Sequence, residues 1–465
     1  MCKFSAFCAP LRAAASGEGG IVNGRAMRVV IIVLIGLAVL AYVLFVAPLP
    51  QRSEEPPESA PPSPTPTLQK NPPGRWAPVR QEGAETTDSS LEEMEERMLA
   101  MGYMPGTQPA PLESGVVVYH KARACNGYSL YCSGHAPEAV LMDMEGNVLH
   151  TWHRNFLDVW PGHPQLARTL GAQFWRRVYV YPNGGLLAIF ERNGIVRLDR
   201  DSRVLWAHLN QAHHDIHVDK EGLIRVLVRE ARDEPDIDED NPIIDDAVVT
   251  LDAEGNEMDR VSVLDAFRNS YFSPCLRKLP HIGDIFHTNT IEVLDGRQAA
   301  RCKAFAQGNY LVSSRELDLV AVINPELDAV VWALTGMWRG QHEPTLLETG
   351  NMLIFDNLGL GKRSRVLEFD PISQNVSWAY NGTDEHPLFS FACGASHRLP
   401  NGNTLIVETD NGRAIEVTPN GTVVWEFVNP RRAGEDDELI ASLFDVVRLR
   451  PDFPVDWTAQ GTAAQ

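Results

Sequence analysis

Three histidines stand at nearly one distance ahead of a turn glycine: His214 is eight residues before Gly222, His287 nine before Gly296 and His342 eight before Gly350. If these segments are equivalent units of a closed repeat, their imidazoles point at one spot. Such a cluster has two uses. Neutral imidazoles attack electrophiles and move protons near ambient pH, or they converge on Zn, Cu or Fe. Neighbouring residues add polar groups: His213 and Asp215 in QAHHDIH, Asn289 in FHTNT, and Gln341 and Glu343 on either side of His342 in GQHEPT. Strand alternation admits only one of His213 and His214 to the shared axis, and which one is open. The next unit, ACGASHRLPNGN, has Gly394 at the equivalent position and His397 three residues later, matching His217. Arg315, in NYLVSSRE, follows the His287 hairpin. A guanidinium repels a metal cation but helps to bind a tetrahedral oxyanion such as sulfate or phosphate. Anion chemistry therefore fits the set better, and metal ligation is the rival.

The elements that would position these groups are short β-rich runs separated by glycine turns from Gly115 onward. An apolar run ending in a polar turn residue, then a second apolar run often carrying Trp, occurs six times: VLMDMEGNVLHTW at 140, IVRLDRDSRVLWAH at 195, VVTLDAEGNEMDRV at 248, AVINPELDAVVWAL at 321, VLEFDPISQNVSWAY at 366 and AIEVTPNGTVVWEF at 414. Each alternates with a second hairpin-like phrase, such as VYVYPNGGLLAIFE or HRLPNGNTLIVETD. Two alternating hairpins per unit match the four-stranded blades of a propeller, so an all-β, six-bladed β-propeller is expected over 113–455, followed by a C-terminal tail at 456–465. The runs GVVVYHK and SLFDVVRLRP are candidates for closing the ring.

Ahead of this domain the composition changes. Residues 29–49 open with eighteen uncharged, mostly apolar residues, close to the roughly 20 that span a bilayer, and the expected element is a transmembrane signal-anchor helix. Lys3, Arg12, Arg25 and Arg28 precede it, which places the 1–28 tail in the cytosol and the main domain in the periplasm, lumen or extracellular space. Residues 50–89 form a proline-rich disordered stalk, and 90–112 a short helical lead-in opened by Ser90 and Glu93. An oxidising compartment permits Cys125 and Cys132 to close a small disulfide loop; Cys275 and Cys302 are either a second bridge or buried thiols. The net charge of −20, from 41 basic and 61 acidic residues, excludes a nucleic-acid partner.

The words HHDIHVDKEG, HTNTIEVLDG, VSSRE, GQHEPTLLETGNMLIFDN and SHRLPNGNTLIVETDNGRAIEVTPNGTVVWEFVNP, in this order, resemble the arylsulfate sulfotransferase family over about 115–430. The resemblance implies an exported six-bladed propeller that moves a sulfuryl group from an aryl sulfate donor to a phenolic acceptor. It implies no cofactor and no nucleotide donor, and the chain has no glycine-rich phosphate loop. It makes His342 the nucleophile that becomes a sulfohistidine, His287 and Asn289 the pair that binds the sulfuryl oxygens, Arg315 the family arginine and His214 the further histidine. His213 competes with His214, and both His213 and His397 are assigned to substrate binding. The insertion RQAARCKAFAQ between His287 and Arg315 departs from the family pattern. A metal-dependent propeller enzyme and a non-catalytic membrane-tethered binding propeller are the alternatives.

Overall fold

The recurring polar residue at the end of each apolar run closes a hairpin turn. Asp143 Oδ1 accepts the backbone N–H groups of Glu145 and Asn147, and Asp199, Asp252 and Asp370 do the same in their own turns. Asn324 and Thr418 take the same place with an amide oxygen and a hydroxyl. Carboxylate, amide and hydroxyl oxygens all mimic a backbone acceptor at such turns, which is why the phrase tolerates all three.

The computed structural model describes residues 106–458 apart from 281–282, 362, 385 and 435. Among them are six antiparallel sheets of four or five strands, giving an all-β, propeller-like architecture. Sheet one combines Leu443–Leu449 with Tyr128–Ser133, Glu138–Met142 and Val148–His153. Sheets two to six begin at Trp175–Val180, Ala212–Val218, Thr288–Val293, His342–Leu346 and Ala395–Arg398, and each continues with the next three strands in chain order. Gly115–Tyr119 adds a fifth strand to sheet six beside Val423–Val428. Of the two closing candidates, the late run joins the first sheet and the early run joins the last.

Each sheet buries both faces. Along Leu186–Phe190, Leu186, Ala188 and Phe190 pack against sheet one, while Leu187 and Ile189 pack against sheet three. Six apolar clusters each lie between two consecutive sheets, and the sixth joins sheet six to sheet one through Val407, Trp425, Tyr131 and Val140. The repeated tryptophans tie the same joints: Trp206, Trp378 and Trp425 donate Nε1–H to Ala253 O, Pro419 O and Met144 O, each in the outer turn of the following sheet. The first strands of the sheets also touch in sequence and return to the start. They therefore surround one axis, onto which their side chains converge.

Several expectations change. Cys125 and Cys132 are both free thiols. Cys132 faces the core between sheets one and two, and Cys125 packs with the core between sheets six and one, so the sheet separates them. Cys275 and Cys302 are likewise free and lie on opposite sides of sheet four. The lead-in at 90–112 falls largely outside the described residues, and within them Gln108–Pro109 is a strand paired with Leu439–Ile440. The domain continues past 455, because Trp457 is buried against Trp152, with ring centroids 5.7 Å apart. The anchor segment 29–49 lies outside the described residues, among which no helix is long and apolar enough to cross a membrane.

Candidate functional site

The histidines occupy the mouth-side ends of the first strands of sheets three, four and five, and each strand bulges there. Pairing slips between His213 and Ile216, between Thr288 and Thr290, and between His342 and Thr345. His214, His287 and Glu343 adopt left-handed φ of 54°, 49° and 50°. A bulge breaks the two-residue alternation and re-aims side chains, and non-glycine residues at such φ are held by their surroundings. At the first of these bulges His213 and His214 stand side by side. Both are fully buried, and their Nδ1 atoms are hydrogen-bonded at 2.8 Å.

His342 is 2% exposed, and its protonation state follows from the network around it. The Asn357 amide nitrogen donates to Ser390 O at 2.8 Å and Cys393 O at 2.6 Å. Its Oδ1 must therefore accept, and it lies 2.9 Å from His342 Nδ1, with Gly340 O a second acceptor at 3.0 Å. Nδ1 then carries the proton and Nε2 the lone pair. Nε2 is buried and has no hydrogen-bond partner among the described residues. Burial holds the ring well below the usual imidazole pKa, and the charges of Arg315, Arg176 and His287 add to this, although the Asn357 bond opposes it. The result is a neutral imidazole whose Nε2 lone pair no described protein group binds. Asn357→Asp puts an anion behind Nδ1, so the acid limb of any rate that needs neutral His342 is expected to move to higher pH by about 1–3 units. A pH–rate profile checks this, and an unmoved limb would show that the amide does not set the ring's protonation.

His287 has a different partner. Its Nδ1 lies 2.8 Å from Asp284 Oδ2, its backbone N–H donates to Asp284 Oδ1 at 3.0 Å, and Arg229 binds the same carboxylate. The His214 ring is edge-on to His287 with centroids 5.0 Å apart. Behind His214 stands His213, whose Nε2 lies 3.3 Å from Asp246 Oδ1. Burial, then His213 and His287, hold His214 well below the usual imidazole range. Arg315 returns beside His287 despite the insertion, because Tyr310–Ser314 pairs with Thr288–Val293 and the Arg315 N–H donates to His287 O at 3.3 Å. Its guanidinium pairs with Glu316 at 2.8 Å and stands 6.0 Å from the Phe391 ring centre.

Asn289 is at the site in a supporting role: its amide nitrogen donates to Gln341 O at 2.8 Å, fixing the residue before His342. His397 is not with the other histidines. It bonds to Asp445 at 2.9 Å in a charged layer centred on Arg177, which also reaches Asp215 at 2.9 Å, Glu343 at 2.5 Å and Asp445. These partners come from the first strands of sheets one, three and five, so Arg177 sits on the axis and floors the site. Asp215 and Glu343 directly follow His214 and His342, which locks the two histidines to that floor.

Arg176 completes the ring and was missed in the sequence. It is eight residues before Gly184, the same offset as His214 and His342, so the repeat marked the position but not as a histidine. It is 4% exposed, with one guanidinium nitrogen 3.6 Å from Cys393 Sγ. Asn357 and Asp284 carried no such signal, since both act through side chains that stand behind a ring. For a metal, Glu191, His213 and His214 place one ligand atom each within 4.8 Å of one another. The charges of Arg176 and Arg229 act on His214 and oppose a cation there.

The fold and site define a propeller-like protein with an axial cluster of imidazoles and guanidinium groups. The sequence profile of the arylsulfotransferase (ASST) family matches residues 178–430, more than half of the 465-residue chain, and the protein belongs to that family. No curated protein matches the chain. Similar solved structures include a protein of unknown function from Bacteroides caccae, at 13% identity and TM-score 0.45 over 68% of this chain and 98% of that one. A streptogramin B lyase has 12% identity and TM-score 0.40 over 73% and 93%. The WD40 β-propeller domain of Doa1 has 11% identity and TM-score 0.39 over 75% and 96%.

Proposed function

We propose that the protein is a six-bladed propeller that transfers a sulfuryl group from a phenolic sulfate ester to a phenolic acceptor in a ping-pong reaction, without a nucleotide donor. The observation that carries this reading is the buried Nε2 of a neutral His342, which has no hydrogen-bond partner among the described residues. Nε2 attacks sulfur, the S–O bond to the aryl group breaks, and the electron pair leaves with the phenolate, which takes a proton. In the second half the acceptor phenol gives up its proton, its oxygen attacks the sulfohistidine sulfur, and the N–S bond breaks. Arg176 and Arg315 supply positive charge for the sulfuryl oxygens as the transition state forms. We place the domain outside the cytosol, tethered through residues 29–49.

Brief mixing of the full chain with p-nitrophenyl sulfate and no acceptor is expected to add about 80 Da, the mass of one sulfuryl group on a nucleophile, and phenol should remove it. No adduct and no released p-nitrophenol with any acceptor would overturn the reading. The Glu191, His213 and His214 cluster supports a second reading, a metal-dependent enzyme. One equivalent of Zn, Cu or Fe in the purified protein, lost together with activity in Glu191→Gln, would favour it.

A further inference from the structure

The amide behind His342 is itself set by residues 388–394, which belong to no strand or helix and end the connection from Val376–Tyr380 of sheet five to Ala395–Arg398 of sheet six. Ser390 O and Cys393 O accept the two N–H bonds of Asn357. With those carbonyls displaced, the amide is free to turn over and offer Nδ2–H to His342 Nδ1. Nδ1 then accepts, the proton sits on Nε2, and the lone pair that attacks sulfur is lost. An irregular segment keeps its place only where its own N–H groups find acceptors. Two of those acceptors are buried carboxylates at the end of Thr404–Glu408 in sheet six: Glu408 Oε1 accepts from Phe389 N at 2.6 Å, and Asp410 Oδ2 from Phe391 N at 2.6 Å. Between them, Ser390 N donates to Ser364 Oγ at 2.9 Å. Glu408 also binds Asn411 and Arg413, so removing it would break a buried ion pair. Asp410 is 6% exposed, and the N–H it holds lies between the two carbonyls that Asn357 uses.

We infer that Asp410 is a positioning residue for His342: by accepting the Phe391 N–H it holds the Ser390 and Cys393 carbonyls where they orient Asn357, and through that amide it keeps the lone pair on Nε2. The inference rests on the sulfuryl-transfer reading, in which Nε2 is the nucleophile. The role needs an acceptor oxygen at one point and does not need a charge. Asparagine supplies that oxygen at the same reach. Glutamate keeps the charge, but its extra methylene puts the acceptor in the wrong place and pushes the segment away.

The test is the rate at which the full chain forms the mass adduct with p-nitrophenyl sulfate. Misplacing a reacting group by about 1 Å can cost about 100-fold, so Asp410→Ala is expected to slow adduct formation by about 10- to 100-fold. Asp410→Glu should lose at least about tenfold, while Asp410→Asn stays within about threefold of wild type. In an Asn357→Ala background, already slower, adding Asp410→Ala should change the rate by no more than about threefold, because the path runs through the amide. A merely structural role would slow both backgrounds alike. If the alanine variant does not fold, Asp410→Glu takes its place in the same cycle. Equal losses in the two backgrounds, an alanine or glutamate variant as fast as wild type, or an asparagine variant as slow as either would overturn the role of Asp410. Any of these from a wild-type chain that forms the adduct refutes this inference alone. A wild-type chain that forms no adduct and releases no p-nitrophenol refutes the sulfuryl-transfer reading and this inference with it.

Discussion

His342→Ala is expected to lower sulfuryl transfer by about ten-thousand-fold or more, the scale seen when a covalent nucleophile is removed, and to abolish the mass adduct entirely. The site around it should survive, because the floor is held by Arg177 and the neighbouring imidazoles by Asp284 and Asp246. Thermal stability should therefore change little compared with the loss of rate, and added imidazole should restore part of the turnover by entering the vacated volume. The wild-type enzyme adds a second signature. Because burial keeps His342 neutral well below the usual imidazole range, its nucleophilic form persists at pH 6, where an ordinary imidazole is mostly protonated. An adduct that still forms in the alanine variant would move the nucleophile to another residue and dismantle the assignment.

The sequence made the fold legible because a propeller writes its geometry in period. The turn-closing Asp and the stapling Trp recur since every sheet solves the same packing problem against the next. His214, His287 and His342 were legible for the same reason: a nearly constant offset from a turn glycine puts them at about one height on the axis. Arg176 obeys that offset too, but its residue type differs, and a search for imidazoles passes over it. What period cannot carry is the consequence of a bulge. At His213 and His214 the slipped pairing leaves both rings buried and bonded to each other, an arrangement that regular alternation does not predict. His397 was misplaced by the opposite route, because its match to His217 is a match of spacing along a strand, and spacing does not say which charged partner waits across the axis. The Cys125–Cys132 bridge failed because closeness in sequence ignores that a strand in a two-faced sheet sends neighbouring segments into different cores.

Arg177→Leu is expected to destabilise the domain by about 3–5 kcal/mol, the range for removing one partner from a buried ion network. Its guanidinium meets Asp215, Glu343 and Asp445, and its own side chain is only 8% exposed, so leucine would leave three carboxylates in a dry layer, one of them paired with His397. The sign of the pH dependence follows from the shifts. Burial opposes the Asp445 charge, but Arg177 and His397 win and depress its pKa, so its contribution is present above the ordinary carboxylate range and is lost as pH falls through the depressed value. Burial opposes the His397 charge as well, yet Asp445 raises its pKa, so that contribution is full below the ordinary imidazole value and is lost as pH rises through the raised one. Wild-type stability from this layer should therefore be greatest in mildly acidic solution. In the leucine variant the stranded carboxylates take up protons more readily, so acidification should narrow the gap between the two proteins. Denaturant midpoints across pH 4–8 would measure this. A variant as stable as wild type at pH 7 would mean that Arg177 does not hold the layer together. Because Asp215 and Glu343 directly follow His214 and His342, loosening that layer is expected to displace both imidazoles, and folded leucine variant should lose sulfuryl transfer even below its unfolding transition.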